Sequence, residues 1–170
     1  ASSLADVSAT LFAPIYLGLP LGALAAIRND ENGGRREGPL LLLAVIVVSD
    51  SAQYYTGRAF GRRKLSPVIS PKKTVEGAIG GVVFGTLAMA VGGSFLFASP
   101  VWLLALLGAS ISLLGIVGDL FESLLKRSAG IKDSSNLIPG HGGVLDRMDS
   151  LLVAAPVLYY YWGLFLAGAR

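Results

Sequence analysis

The chain has 170 residues, of which 53% are hydrophobic and only 15% are charged. Soluble domains carry about a quarter charged residues, so this composition excludes an ordinary soluble domain and predicts a membrane protein. The formal net charge of +3 is small, and the absence of cysteine excludes disulfides and thiol chemistry.

Several apolar segments are long enough, or nearly so, to cross a bilayer, for which a helix needs about 20 apolar residues. The sequence therefore predicts an all-α, polytopic membrane bundle of about five transmembrane helices, with residues 1–170 forming one membrane domain. The start of the chain shows no signal-peptide pattern. The predicted spans are Ser8–Ile27, Pro39–Tyr55, Gly77–Phe97, Val101–Leu125 and Met148–Ala167.

Basic residues predict the orientation of these spans. They concentrate after the second and fourth spans, whereas the loop after the first span mixes acidic and basic residues. Because Lys and Arg favour the cytoplasmic side, we predict that both basic segments face the cytoplasm. They contain Arg58, Arg62, Arg63, Lys64, Lys72 and Lys73 after the second span, and Lys126, Arg127, Lys132 and Arg147 after the fourth.

Small residues line one face of the third span, where Gly77, Gly81 and Gly85 recur at four-residue intervals. Such a face permits close contact between helices, and backbone packing is the favoured interpretation. Close approach by a substrate is the alternative.

Acidic side chains lie inside or directly beside the apolar segments, at Asp50, Asp119, Asp146 and Asp149. Each acid near the bilayer centre costs about 3 kcal/mol on insertion scales, so another interaction must offset it. Ion pairs between helices are one explanation. The other is a wet cavity that holds a cation.

Helical spacing favours the cavity, because each acid belongs to a polar stripe on one helix face. In the fourth span the stripe is Asp119, Glu122, Ser123 and Lys126. At the start of the fifth span the stripe is Asp146, Asp149 and Ser150. In the second span it is Asp50, Ser51 and Tyr54.

A hard cation suits this set of ligands. Two carboxylates on different helices can share Mg²⁺, which prefers a few carboxylates together with waters and substrate phosphates. Ligands rich in Asp and free of Cys favour such an ion over zinc. A second cation is left open.

Two further segments have the composition of phosphate-binding sites. Ser70–Thr74 is predicted to start the third helix, with Ser70 as its cap, Pro71 in its first turn and two lysines beside an anion-binding helix terminus. Flanking charge alone is the alternative. The loop from Lys126 to Gly143 combines basic residues, hydroxyls and glycines that let backbone N–H groups approach phosphate. It contains His141, the only histidine. This residue is either a solvated or turn residue, or a general acid or a hydrogen-bond donor to phosphate.

Together these residues resemble the signature of CDP-diacylglycerol synthases, also called phosphatidate cytidylyltransferases. The similarity covers about residues 45–150. Gln53 departs from it, because the family usually has a small residue there. The matching motifs are Gly57-Arg58-x-Phe60-Gly61, Ser70-Pro71-Lys72-Lys73-Thr74-x-Glu76-Gly77, Gly118-Asp119-Leu120-x-Glu122-Ser123, Lys126-Arg127, Lys132-Asp133, Pro139-Gly140-His141-Gly142-Gly143 and Leu145-Asp146-Arg147-Met148-Asp149-Ser150.

The resemblance implies a helical membrane enzyme that joins CTP and phosphatidic acid to give CDP-diacylglycerol and pyrophosphate. It implies Mg²⁺ bound by Asp119 and Asp146. Family members are commonly longer by several N-terminal spans. We therefore expect this chain to be the C-terminal catalytic part of a longer protein; an abbreviated or split form is the alternative.

We expect Asp119, Asp146, Lys126 and Asp149 to be catalytic. The candidate substrate-binding residues share basic, hydroxyl, acidic or glycine character around the predicted cavity. They are Asp50, Tyr54, Ser70, Lys72, Lys73, Thr74, Glu76, Glu122, Ser123, Arg127, Lys132, Asp133, His141, Gly142, Gly143 and Arg147.

The expected partners are CTP, phosphatidic acid and the lipid bilayer, with no nucleic acid; a homodimer is left open. The expected location is a bacterial plasma membrane with the active site facing the cytoplasm. Two other classes of function are weighed against the enzyme: a transporter or ion pathway, and a non-catalytic scaffold. A cytidylyltransferase for another lipid tail is a related alternative.

Overall fold

Helices account for almost all of the chain that the structure describes. The computed structural model describes residues 2–29, 37–131 and 145–166. The elements in chain order are α1 (Ser2–Asn29), α2 (Glu37–Phe60), β1 (Lys64–Ser66), β2 (Ser70–Thr74), α3 (Val75–Leu96), α4 (Val101–Ser128), α5 (Leu145–Tyr161) and one π-helical turn (Trp162–Leu166). The predicted all-α membrane bundle is confirmed.

Four of the helices, α1 to α4, are long and apolar enough to cross a membrane. The chain is an integral membrane protein. Helix α5 has 17 residues and contains Pro156, so it is shorter than the other four. Its role as a fifth span stays a prediction.

The core lies where α2, α3, α4 and α5 meet. Side chains from α2 and α4, such as Leu42, Val45, Leu104 and Leu107, are at most 1% exposed. Helix α1 packs mainly against α5 and leaves most of its apolar surface exposed. In a bilayer, lipid tails cover such a surface, so its exposure is expected for a membrane helix.

Helices α2 and α3 approach closely along the glycine face predicted from the sequence. A Cβ atom at Gly77 would lie 2.7 Å from the Gln53 carbonyl oxygen, and one at Gly81 would lie 3.1 Å from the Ser49 carbonyl oxygen. A Cβ at Gly85 would meet the side chains of Ser49 and Ser112. These contacts support the packing interpretation of the glycine face.

The predicted helix start at Ser70 is wrong. Ser70–Thr74 is strand β2, which pairs antiparallel with β1 through Lys64 with Thr74 and Ser66 with Ser70. A residue before proline avoids helical dihedrals, which favours an extended Ser70. Helix α3 begins at Val75, and Thr74 is its N-cap because its Oγ1 accepts from the Gly77 N–H at 3.1 Å.

Candidate active site

A cavity of about 480 Å³ lies at the end of the bundle where α2 and α4 finish and α3 and α5 begin. Four elements contribute its walls: α2, β2, α4 and α5. Four basic side chains face three aspartates there. Its lining residues are Asp50, Gln53, Tyr54, Gly57, Arg58, Lys72, Lys73, Thr74, Asp119, Lys126 and Asp149.

Helix α4 supplies Asp119 and Lys126, which lie two turns apart on one face. Between them, Glu122 is only 1% exposed, and its Oε1 lies 3.3 Å from the Lys126 Nζ. The Ser123 hydroxyl lies 3.5 Å from Asp119 Oδ1. The predicted polar stripe of α4 is therefore present, with Glu122 buried beneath the cavity as the ion-pair partner of Lys126.

Helix α5 brings Asp149 to the same cavity. Asp149 is 9% exposed, and its neighbour Ser150 donates from its hydroxyl to the Gly115 carbonyl of α4 at 3.3 Å. A Cβ at Gly118 would lie 2.9 Å from the Asp149 carbonyl oxygen, so the two backbones nearly touch. This close approach places Asp149 beside the α4 stripe.

Helix α2 presents a longer polar stripe than the sequence analysis identified. Asp50 and Tyr54 line the cavity as predicted, whereas Ser51 of the predicted stripe is exposed and does not line it. The other lining residues from α2 are Gln53, Gly57 and Arg58. Arg58 Nη1 donates to the Tyr54 hydroxyl at 3.3 Å. The spacing of these residues after Asp50, at three, four, seven and eight positions, is the signal from which the three additional residues could have been found.

Strand β2 contributes the basic wall. Lys72, Lys73 and Thr74 line the cavity, and Lys73 forms an ion pair with Asp119. Thr74 is 7% exposed and caps α3. The two lysines therefore reach the cavity from an extended strand rather than from a helix terminus.

Several predicted site residues lie elsewhere in the described structure. Ser70 and Arg127 are not among the cavity-lining residues, and Arg127 is exposed. Glu76 also lies outside the cavity; its carboxylate accepts from the backbone N–H groups of Arg62 and Arg63.

Other predicted residues lie outside the described part of the chain. They are Lys132, Asp133, His141, Gly142 and Gly143 of the loop, and the side chains of Asp146 and Arg147 in the first turn of α5. The predicted pairing of Asp119 with Asp146 therefore stays a prediction. Within the described residues, no group of three or more acidic, histidine or cysteine side chains is close enough to hold a metal.

A comparison with models of known protein families shows to which family the chain belongs. The model described as the cytidylyltransferase family matches residues 1–165. The chain belongs to the cytidylyltransferase family. The predicted resemblance is confirmed, and the cavity brings together residues from its motifs before α3, at the end of α4 and at the start of α5.

Similar proteins from bacteria carry a name that specifies an activity. This cytidylyltransferase-family chain is 44% identical to a phosphatidate cytidylyltransferase of Brucella suis over 155 residues, which is 88% of the chain and 55% of the relative. It is 40% identical to one from Bacillus subtilis, over 94% of the chain and 60% of the relative. For one from Synechocystis the identity is 48%, over 75% of the chain and 43% of the relative. The chain thus spans about half the length of these relatives.

Proposed function

We propose that this chain forms the active site of a phosphatidate cytidylyltransferase, which joins CTP and phosphatidic acid to give CDP-diacylglycerol and pyrophosphate. Membership of the cytidylyltransferase family supports the reaction class, and the names of the bacterial relatives support the two substrates. The observation that carries the proposal is the cavity, where four basic side chains and three aspartates meet at one end of apolar helices.

The reaction needs no nucleophile from the protein. A phosphate monoester has its second pKa at about 6, so the phosphatidate oxygen is already anionic near neutral pH. This oxygen attacks the α-phosphorus of CTP and forms a new P–O bond. The bond from the α-phosphorus to the oxygen bridging to the β-phosphate breaks, and pyrophosphate leaves with the electron pair.

The main obstacle is repulsion between two anionic substrates, which basic side chains reduce. Lys72 and Lys73 approach the cavity from β2, and Lys126 approaches it from α4. These lysines hold the phosphates together and stabilise charge on the leaving pyrophosphate. Buried Glu122 orients Lys126 through their ion pair.

The aspartates supply the type of ligand that a hard cation takes, although the described residues form no site of three acidic side chains. Asp50, Asp119 and Asp149 line one cavity with carboxylate oxygens, which Mg²⁺ prefers, and Mg²⁺ completes its shell with waters and substrate phosphates rather than with protein alone. Asp119 and Asp146 would hold the ion, and Asp149 would orient its waters. When bound, Mg²⁺ would neutralise charge on the transferring phosphate.

The cavity faces the cytoplasm of a bacterial cell in this proposal. Arg58, Lys72, Lys73 and Lys126 line the cavity, and Arg62, Arg63 and Lys64 follow α2 at the same end. The positive-inside rule supports this orientation, and CTP is a cytoplasmic nucleotide.

The test is CTP-dependent formation of CDP-lipid by the purified protein in nanodiscs that contain phosphatidic acid and Mg²⁺. Asp119→Asn should lower turnover by about 100-fold or more, because Asp119 would hold the cation that neutralises charge on the transferring phosphate. Asp6→Asn is the matched control, since Asp6 is exposed on α1 and is not a cavity-lining residue. Equal turnover in the two variants would contradict the site.

Nucleotide binding separates the enzyme from the other functions. CTP with Mg²⁺ should raise the unfolding temperature of the wild-type protein, because a ligand that binds only the folded state stabilises it. Neither turnover nor a CTP-dependent shift is expected of a transporter or a scaffold.

A further inference from the structure

The hairpin of β1 and β2 carries two cavity lysines but has little structure of its own. Its strands have three and five residues. An isolated two-stranded hairpin is at best marginally stable in water. Lys64, Val68 and Lys72 are exposed, so the hairpin buries little apolar surface. Contacts at its ends must therefore hold Lys72 and Lys73 at the cavity.

Glu76 supplies such a contact from the first turn of α3. Its Oε2 accepts from the Arg62 N–H at 3.0 Å and from the Arg63 N–H at 3.2 Å. Its Oε1 lies 3.3 Å from the same Arg63 nitrogen. Hydrogen bonds to an ionised carboxylate are stronger than neutral ones, and a carboxylate is favoured in the first turn of a helix.

Two backbone hydrogen bonds lie beside the Glu76 contacts. The Val75 N–H donates to the Arg63 carbonyl at 2.9 Å, which ties the start of α3 to the residue before β1. The Gly61 N–H donates to the Gly57 carbonyl at 3.0 Å, which continues α2 toward the hairpin. Glu76 therefore lies at the junction of α2, the hairpin and α3.

This junction determines where Lys73 lies. Thr74, the next residue, is buried against Gly57 and Gly61; a Cβ at either glycine would lie within 2.9 Å of a Thr74 side-chain atom. With Thr74 held there, Lys73 projects to Asp119 and forms their ion pair. A shift of the Arg62–Arg63 backbone would move β2 and hence Lys73.

We propose that Glu76 is a positioning residue for the reaction under Proposed function, on which this inference rests. It holds the hairpin so that Lys73 faces Asp119, and it contacts neither substrate. Its place outside the cavity and its three contacts with backbone N–H groups support this role.

Hydrogen exchange tests the contact without requiring activity. In nanodiscs, Glu76→Ala should speed exchange of the peptide that contains the Arg62 and Arg63 amides. Glu37→Ala is the control, because Glu37 is an exposed carboxylate in the first turn of α2. Unchanged exchange in Glu76→Ala would overturn the proposal.

Kinetics tests whether Glu76 acts through Lys73. Glu76→Ala should lower kcat/KM for CTP by about 100-fold, the scale of loss when a reacting group is misplaced by about 1 Å. Glu76→Gln retains a carbonyl acceptor and should recover most of this loss. In a Lys73→Met background, Glu76→Ala should cause little further loss, because coupled residues are not additive. Additive losses would refute action through Lys73, and no recovery by Glu76→Gln would refute positioning through the hydrogen bonds to the Arg62 and Arg63 amides.

The two proposals fail separately. Faster exchange in Glu76→Ala with no CTP-dependent turnover in the wild-type protein would retain the junction and reject the enzymatic function. Wild-type turnover that Glu76→Ala leaves unchanged would retain the function and reject Glu76 as a positioning residue.

Discussion

At the scale of single residues, the cavity joins charges of opposite sign that the sequence separates by tens of positions. Lys73 lies on β2 and Asp119 lies near the end of α4, yet they form an ion pair. Their side chains are 14% and 33% exposed, so both are partly withdrawn from solvent. Under the proposed function, Lys73 holds substrate phosphate beside a carboxylate that holds the cation.

Lys73→Met should therefore lower turnover by about 100-fold, because it removes a charge placed at the transferring phosphate. Lys64→Met is the matched control. Lys64 is an exposed lysine on β1 of the same hairpin and is not a cavity-lining residue. The rate of CDP-lipid formation at saturating CTP is measured for both variants. Equal losses would show that the positive charge of the hairpin contributes non-specifically and that Lys73 has no particular role.

At the scale of elements, glycine faces determine how closely the site helices approach. Gly77 and Gly81 bring α3 onto α2, and Gly118 brings α4 onto α5. Because lipid tails are as apolar as the helices, no hydrophobic effect drives the helices together within the bilayer. Close backbone contact instead stabilises the bundle through van der Waals packing. The same contacts set the separation of Asp119 from Asp149.

Gly118→Ala should destabilise the bundle by about 1–3 kcal/mol, the usual cost of overpacking. Its added Cβ would lie 2.8 Å from Val153 Cγ2 and 2.9 Å from the Asp149 carbonyl oxygen. Gly22→Ala is the control, because a Cβ there meets no atom within 4 Å. Thermal unfolding in detergent should show a lower midpoint for Gly118→Ala only. Equal midpoints would mean that α4 and α5 are not closely packed.

At the scale of the whole molecule, the cavity lies at the basic end of an apolar bundle. The turn between β1 and β2 lies at this end, and the connection between α3 and α4 lies at the other, because α3 separates them. Val68 in the turn is 89% exposed. These two connections therefore report on opposite sides of the membrane if α3 spans it.

The chain lacks cysteine, so a single introduced thiol reports one position. In intact bacterial cells, a membrane-impermeant maleimide should leave Val68→Cys unlabelled and should label Ala98→Cys, which lies between α3 and α4. Lysed cells provide the control, in which both positions should react. The reverse pattern in intact cells would place the cavity outside the cytoplasm.

The class of the molecule and much of its site could be predicted from the amino-acid sequence. Runs of apolar residues predicted the four long helices, since only a helix satisfies its backbone in lipid, and acids at helical spacing identified Asp50, Asp119 and Asp149. The motifs identified the family.

How these groups meet depends on contacts between elements that are distant in the sequence. Local pattern predicted a helix start at Ser70, but pairing with β1 makes Ser70–Thr74 a strand. The sequence predicted Glu76 as a substrate-binding residue. Its short distances to the Arg62 and Arg63 amides show instead that its carboxylate accepts hydrogen bonds from the backbone. The physical reason is that spacing along one helix records which side chains share a face. It does not record which other element packs against that face.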